Sequence, residues 1–166
     1  MLKKNDSFES ERLVFRGINE MDVDLLVRWR SDMDLIRFFR NPEPITLQSH
    51  TEWYSNMYLM NDSRFDFILC EKSSMQKIGT VGVSVIDKDK RSCEISYMIA
   101  ERGFQRKGFA QEAVTTMIAL MRENGFTKFY ADIHQHNHAS ISMIEKLGFV
   151  LSSQRDGFSM YVMSEG

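Results

Sequence analysis

MIAERGFQRKGFAQEA, residues 98–113, joins the end of an apolar strand to the start of the strongest helical pattern in the chain. The strand is RSCEISYMIA (91–100), in which Cys93, Ile95 and Tyr97 alternate with Glu94, Ser96 and Met98. The helix runs over 108–124: Ala110, Ala113, Val114, Met117, Ile118 and Met121 keep an i, i+3, i+4, i+7 spacing, and Gly125 supplies the stop. Between them lies a basic turn, Gln105, Arg106, Lys107, Gly108, Phe109 and Ala110. A helix N-terminus offers unpaired amides and the positive end of the helix dipole, so this turn suits an anion such as a pyrophosphate. Arg106 and Lys107 add full charges to it. The same residues also fit a solvated basic turn that only starts a helix. The Gly-Lys-Ser/Thr of a Walker loop is missing, as are most glycines of a dinucleotide fingerprint.

Periodicity around this junction alternates strands and helices. ERLVFRGI (11–18) reads as a strand, and Asn19 with Asp22 as a capping-box variant before a helix carrying Val23, Leu26, Val27 and Arg30 on one face, broadened by Leu25 and Trp29. NPEP (41–44) is a loop, and LQSHTEWYSNMYLM reads as a second helix. FDFILCEK (65–72) and KIGTVGVSVIDKDK (77–90) are strands, with Gly79 and Gly82 marking a bend or bulge. FTKFYADIH is a strand, and a short helix follows with Ser140, Met143, Ile144 and Leu147 on one face. The tail folds into a hairpin at Asp156-Gly157.

The chain has 166 residues, enough for one domain spanning 1–166 with a real core. Net charge is −2, with no Lys/Arg run that suits nucleic acid. No apolar run approaches the ~20 residues of a membrane span, and MLKKNDSFES lacks the apolar stretch of a signal peptide. The two cysteines, Cys70 and Cys93, lack zinc-type spacing and read as reduced thiols. A cytoplasmic location is expected.

DIHQHNH (132–138) raises a separate question, because Asp132, His134, His136 and His138 alternate as metal ligands on a strand could. If a helix begins here, His138 leaves that face. Asp132, His134 and His136 then remain as a weaker ligand set beside the plainer reading, strand-end residues facing substrate or water. No metal is expected.

QRKGFA is similar to the Q/R-x-x-G-x-G/A turn of the GNAT superfamily of N-acetyltransferases. NHASISMIEKLGF (137–149) resembles its second motif, and ERLVFRGINEMDVDLLVRWRSD resembles the opening of the RimJ/RimL-type branch. The resemblance implies an α/β (α+β) GNAT fold: a mixed, bent sheet of about seven strands with helices on both faces. It implies acetyl-CoA as cosubstrate, its pantetheine bonded to the backbone of Tyr97, Met98 and Ile99 and to Asn137, its pyrophosphate on Gln105–Ala110. It also implies direct transfer to a primary amine: a protein N-terminus, a polyamine, an amino sugar or an aminoglycoside.

Under that resemblance Glu94 is the candidate base, or else an ordinary paired glutamate. Ile144 stands where many relatives carry a tyrosine acid, and Ser140 matches the serine of RimL-like members, or simply packs. The acceptor pocket is expected from Trp29, Arg30, Trp53 and Tyr54, with Arg28, Arg30 and Arg37 suited to a carboxylate or phosphate and Asp22, Asp24, Asp32, Asp34 and Glu43 equally suited to a polyamine. WRSD followed by H-x-x-W is also similar to acetyltransferases acting on amino sugars. A homodimer is common in the family. The alternative is a non-catalytic acyl-CoA-binding or regulatory domain.

Overall fold

The structure, a computed structural model, describes residues 1–164. One eight-stranded sheet organises them, in the order β1-β2-β3-β4-β5-β6-β8-β7. The strands are β1 (Ser7–Glu9), β2 (Leu13–Gly17), β3 (Arg64–Glu71), β4 (Lys77–Asp87), β5 (Ser92–Ile99), β6 (Lys128–His134), β7 (Val150–Arg155) and β8 (Phe158–Ser164). Neighbours are antiparallel except β5 and β6, which run parallel. The strand beyond the expected seven is β1, too short to show a period in sequence. Its Phe8 stacks on Phe15 at 4.7 Å.

Alternation along β3 assigns the two faces. Phe65, Phe67 and Leu69 pack under α4 (Phe109–Glu123) and α5 (His138–Lys146), with Ala113, Val114, Met117 and Ile144. Ile68 and Cys70 face the other way, toward Leu26, Trp29 and Tyr58. That second layer comprises α1 (Val23–Arg30), α2 (Met33–Ile36) and α3 (Leu47–Trp53). Asn19 and Asp22 form the expected capping box, on a 3-10 turn (Glu20–Asp22) leading into α1.

The expected face of α1 is the one turned inward: Leu26 and Trp29 are buried and Val23, Leu25, Val27 and Arg30 half-buried, while Asp24 and Arg28 are exposed. Two expectations need correction. The single helix expected after residue 47 stops at Trp53 and widens into a π-type turn over Tyr54–Tyr58. The widening accompanies burial of Tyr58, 1% exposed, whose hydroxyl accepts a hydrogen bond from the Asp66 amide at 2.8 Å. Gly79 flanks a register shift between β3 and β4, but Gly82 does not. A Cβ at Gly82 would lie 2.2 Å from the Asp66 carboxylate, so this glycine makes room for that acid. The β7–β8 hairpin turns at Asp156 and Gly157, both at positive φ as a type I′ turn requires.

Candidate active site

The parallel pair β5/β6 is bonded only from Ser92–Glu94 to Lys128–Tyr130. Each strand then follows its outer neighbour: β5 stays on β4 as far as Ile99, and β6 stays on β8 as far as His134. The two therefore part, and the β5 edge beyond Glu94 borders a cleft of about 620 Å³. Glu94, Ser96, Tyr97, Met98, Ile99, Asn137 and Ser140 all line it.

At one end of the cleft is the turn into α4. Arg106 and Gly108 both adopt left-handed backbone, φ 61° and 83°. Gly108 is the N-cap residue and has no side chain to satisfy the first-turn amides of a 15-residue helix. Gln105, Arg106, Gly108, Phe109 and Ala110 line the cleft, while Lys107 stands exposed outside it. Gln105 is a strut: its Nε2 donates to the Ile99 carbonyl at 2.9 Å, occupying one of the backbone groups expected to meet a cofactor. Phe109 is a core ring, 6% exposed, beneath the guanidinium of Arg12 at 4.1 Å. Arg12 also donates to the Lys107 carbonyl (2.9 Å) and to Glu112 (2.7 Å), clamping the turn. Sequence reading missed Arg12 because its partners lie on the far side of the chain.

At the other end, Glu94 lies half-buried, its carboxylate making no hydrogen bond among the described residues. Burial pushes its carboxyl up from the ordinary glutamate range, with Arg40 pulling the opposite way. Tyr97 reaches across the gap, its hydroxyl in hydrogen-bond contact with Ser140 Oγ. Burial pushes the Tyr97 phenol up to about 12, the Ser140 contact opposing it. Asn137 caps α5, its Oδ1 accepting from the Ser140 amide at 3.4 Å. Ile144 is fully buried in the core and faces no reacting group.

The histidine stretch divides as the helix start requires. β6 ends at His134, His136 lies in the turn, and His138 opens α5. His134 packs between Phe38 (5.1 Å) and Phe158 (5.2 Å). Asp132 forms an ion pair with Arg40, whose guanidinium lies 4.8 Å from the Phe158 ring. Arg40 thus closes one wall of the cleft near Glu94. It sits in an aperiodic loop, so no sequence pattern marked it.

The four acceptor-pocket residues separate. Arg30 and Trp53 line a second cavity of about 430 Å³, with His50, Arg64 and Asp66. Trp29 is a buried strut that donates from Nε1 to Glu101 at 3.0 Å, and Tyr54 stacks on Tyr58 at 5.7 Å. Neither borders either cavity. The two cavities share Phe39, Ser96, Tyr97 and Met98 as a common wall. Asp66, missed in sequence, was marked by alternation: an acid between Phe65 and Phe67 must face the helical layer of α1–α3.

Residues 12–150 match the acetyltransferase (GNAT) domain family, and the chain belongs to it. A protein of Methanocaldococcus jannaschii is 29% identical over 144 residues, covering 85% of this chain, which in turn spans 28% of that protein's length. An N-acetyltransferase of Bacillus licheniformis, p20, is 30% identical over 156 residues, covering 87% of this chain and 82% of its own length. A crystal structure of a Methanocaldococcus jannaschii domain superposes with TM-score 0.82 at 26% identity, covering 96% of this chain and all of the other. A spermidine N-acetyltransferase of Vibrio cholerae, in complex with CoA and spermine, shares the fold with TM-score 0.81 at 18% identity, covering 93% and 96% of the two chains.

Proposed function

We propose that the protein is an acetyl-CoA-dependent N-acetyltransferase of the RimJ/RimL type, a single domain acting on a primary amine. The carrying observation is the parting of β5 and β6 directly beside the uncapped, left-handed turn at Gly108. An open strand edge offers amides and carbonyls to pantetheine, and a helix N-terminus offers amides to a pyrophosphate. Asn137 fits the first role by its side chain, while Met98 lines the cleft with its backbone turned to β4 and Ile99 keeps only its amide free, its carbonyl being held by Gln105. Tyr97 and Ile99 share that role through their backbone, and Arg106, Gly108, Phe109 and Ala110 fit the second.

In the reaction the amine nitrogen attacks the thioester carbonyl, the C–S bond breaks, and an amide and CoA thiol result. Glu94 takes the proton that the amine must lose; a carboxyl raised by burial is better matched to that task near neutral pH. The departing thiolate needs a proton, which the Tyr97–Ser140 hydroxyl pair supplies. The non-catalytic alternative rested on the isoleucine at position 144, and a hydroxyl pair elsewhere in the cleft removes that support.

Charge separates the acceptor classes. A polycation needs a pocket with excess carboxylate, but the second cavity pairs Arg30 and Arg64 with the single acid Asp66. Arg30, His50 and Trp53, from the WRSD and H-x-x-W stretches, share that cavity, which favours an amino sugar. The test is thiol release from acetyl-CoA with spermidine, amino sugars, an aminoglycoside and N-terminal Ser and Ala peptides. Turnover with an amino sugar supports the reading; tight acetyl-CoA binding without turnover on any amine supports the non-catalytic one.

A further inference from the structure

Of the three arginines suited by sequence to an acidic acceptor, one, Arg30, turns inward to a cavity with neither a hydrogen bond nor an ion pair among the described residues. Arg28 is two-thirds exposed and pairs with Glu101 at 2.8 Å. Arg37 is exposed and rests on the Phe38 ring at 4.7 Å. Arg30 turns inward from α1 to the second cavity, where its Nε is buried with no hydrogen-bond partner. Its guanidinium lies 5.0 Å from the Phe39 ring and forms no ion pair among the described residues.

The neighbouring charges do not neutralise it. Asp66 lies in the same wall, but its Oδ2 is engaged by Arg64 Nε at 3.0 Å, and burial pushes its carboxyl up. Burial and Arg64 push the Arg30 guanidinium down, and Asp66 opposes them without reversing the direction. His50 is held toward its neutral form by burial and by Arg30. Withdrawing a guanidinium from water without a partner is unfavourable, and its planar fork of donors matches a carboxylate or a phosphate. This cavity shares a wall with the cleft that holds Glu94.

We propose that Arg30 binds an anionic group, phosphate or carboxylate, borne by the amine acceptor, with the acceptor's amine reaching toward Glu94 across the shared wall. The inference rests on the transferase reading and gives it a substrate class: amines that carry an acid group.

Two measurements on the full chain test it separately. The first needs no turnover. UDP and inorganic phosphate are titrated by calorimetry into wild-type protein and Arg30→Met, with saturating CoA present to cover the turn at Gly108. The expected result is anion binding weakened about 10-fold or more in Arg30→Met, with an intermediate loss in Arg30→Lys, which keeps the charge and loses the fork. Equal binding by wild type and Arg30→Met, or no binding by wild type, overturns the proposal. The thermal midpoint of the free protein should hold or rise in Arg30→Met, because a half-buried charge without an ion pair has gone. A fall in that midpoint with unchanged anion affinity makes Arg30 structural and overturns it too.

The second measurement is kcat/KM on matched acceptors: UDP-glucosamine and glucosamine 6-phosphate against glucosamine, a peptide beginning with Asp against one beginning with Asn, and spermidine. The acid-bearing member is expected to win, and Arg30→Met to remove its advantage while changing the neutral member less than about 3-fold; the winning pair tells phosphate from carboxylate. Preference for spermidine or glucosamine sinks the proposal. Arg30-dependent anion binding with no turnover on any acceptor keeps the subsite and defeats the transferase reading instead.

Discussion

The cleft between β5 and β6 and the cavity beneath α1–α3 are built by different means. The first is backbone: a strand edge left unpaired beyond Glu94, and a turn whose left-handed Arg106 and Gly108 precede a capless helix. The second is side chains: Arg30 from α1, His50 and Trp53 from α3, Arg64 and Asp66 from β3, brought together across the fold. Backbone sites tolerate changes of side chain and accept a common cofactor. Side-chain sites can change their ligand by a single residue, which is how one fold serves several acceptors.

The sharpest way to break this comparison is at Glu94, in the cleft beside the wall that the two regions share. Glu94→Gln should lower kcat by about 10²–10³-fold with acetyl-CoA affinity nearly unchanged. Wild-type kcat/KM should fall as pH drops through the raised carboxyl pKa, and the variant should lose that limb. The stability sign is opposite. A carboxyl raised in the folded state is destabilising when ionised, so Glu94→Gln should melt no lower than wild type at neutral pH. Equal loss in cofactor affinity and turnover would assign Glu94 to the cleft's architecture.

A smaller effect is expected at Gly108. Valine there must adopt φ 83°, and its Cβ would lie 3.3 Å from an Arg12 nitrogen. The left-handed conformation costs a branched residue about 1–2 kcal/mol or more. Acetyl-CoA affinity should therefore drop about 10-fold, with the Arg30-dependent anion binding untouched. Parallel loss at both sites would show that the regions are not separable.

Tyr97→Phe comes next, with kcat reduced about 10-fold. That is less than for the base, because a thiolate with a pKa of roughly 8.5 leaves without much help. Ser140→Ala should cost a similar factor, and the double variant little more than either alone, since the two hydroxyls act as one donor. Strict additivity would separate them.

The smallest effect is expected behind the turn. Glu112 accepts hydrogen bonds from Ser10, from the Arg12 amide (2.8 Å) and from Arg12 Nε (2.7 Å), which outweigh its burial and hold its carboxyl below the usual range. Its contribution is present above the ordinary glutamate pKa and disappears as pH falls through the lowered folded value. Glu112→Gln should lower stability by about 1 kcal/mol at pH 7, and by less at pH 3. A denaturant titration at the two pH values checks it.

The same division explains what the sequence disclosed. The turn at Gly108, the period of α4 and the alternation of β5 are local patterns and were legible in the sequence, whereas the placement of a cofactor along β5 came only from the resemblance to the family. The Asp156-Gly157 hairpin was legible as a local pattern too. Arg12, Arg40 and the Tyr97–Ser140 contact were not, because each joins segments far apart in the chain. Tyr97 was expected to serve through its backbone, and nothing in alternation reveals a hydroxyl that crosses a gap. In α1–α3, aromatic residues at helical spacing fitted core and pocket equally well: Trp29 and Tyr54 proved to be core, Trp53 pocket.

The most direct test is hydrogen–deuterium exchange with and without acetyl-CoA. Protection is predicted at the backbone of residues 95–99 and 106–110, with the rest of the sheet little changed. Saturating acetyl-CoA that leaves both segments unprotected, or protects only the α1–α3 layer, would contradict the placement of the cosubstrate in the β5/β6 opening and the mechanism built on it.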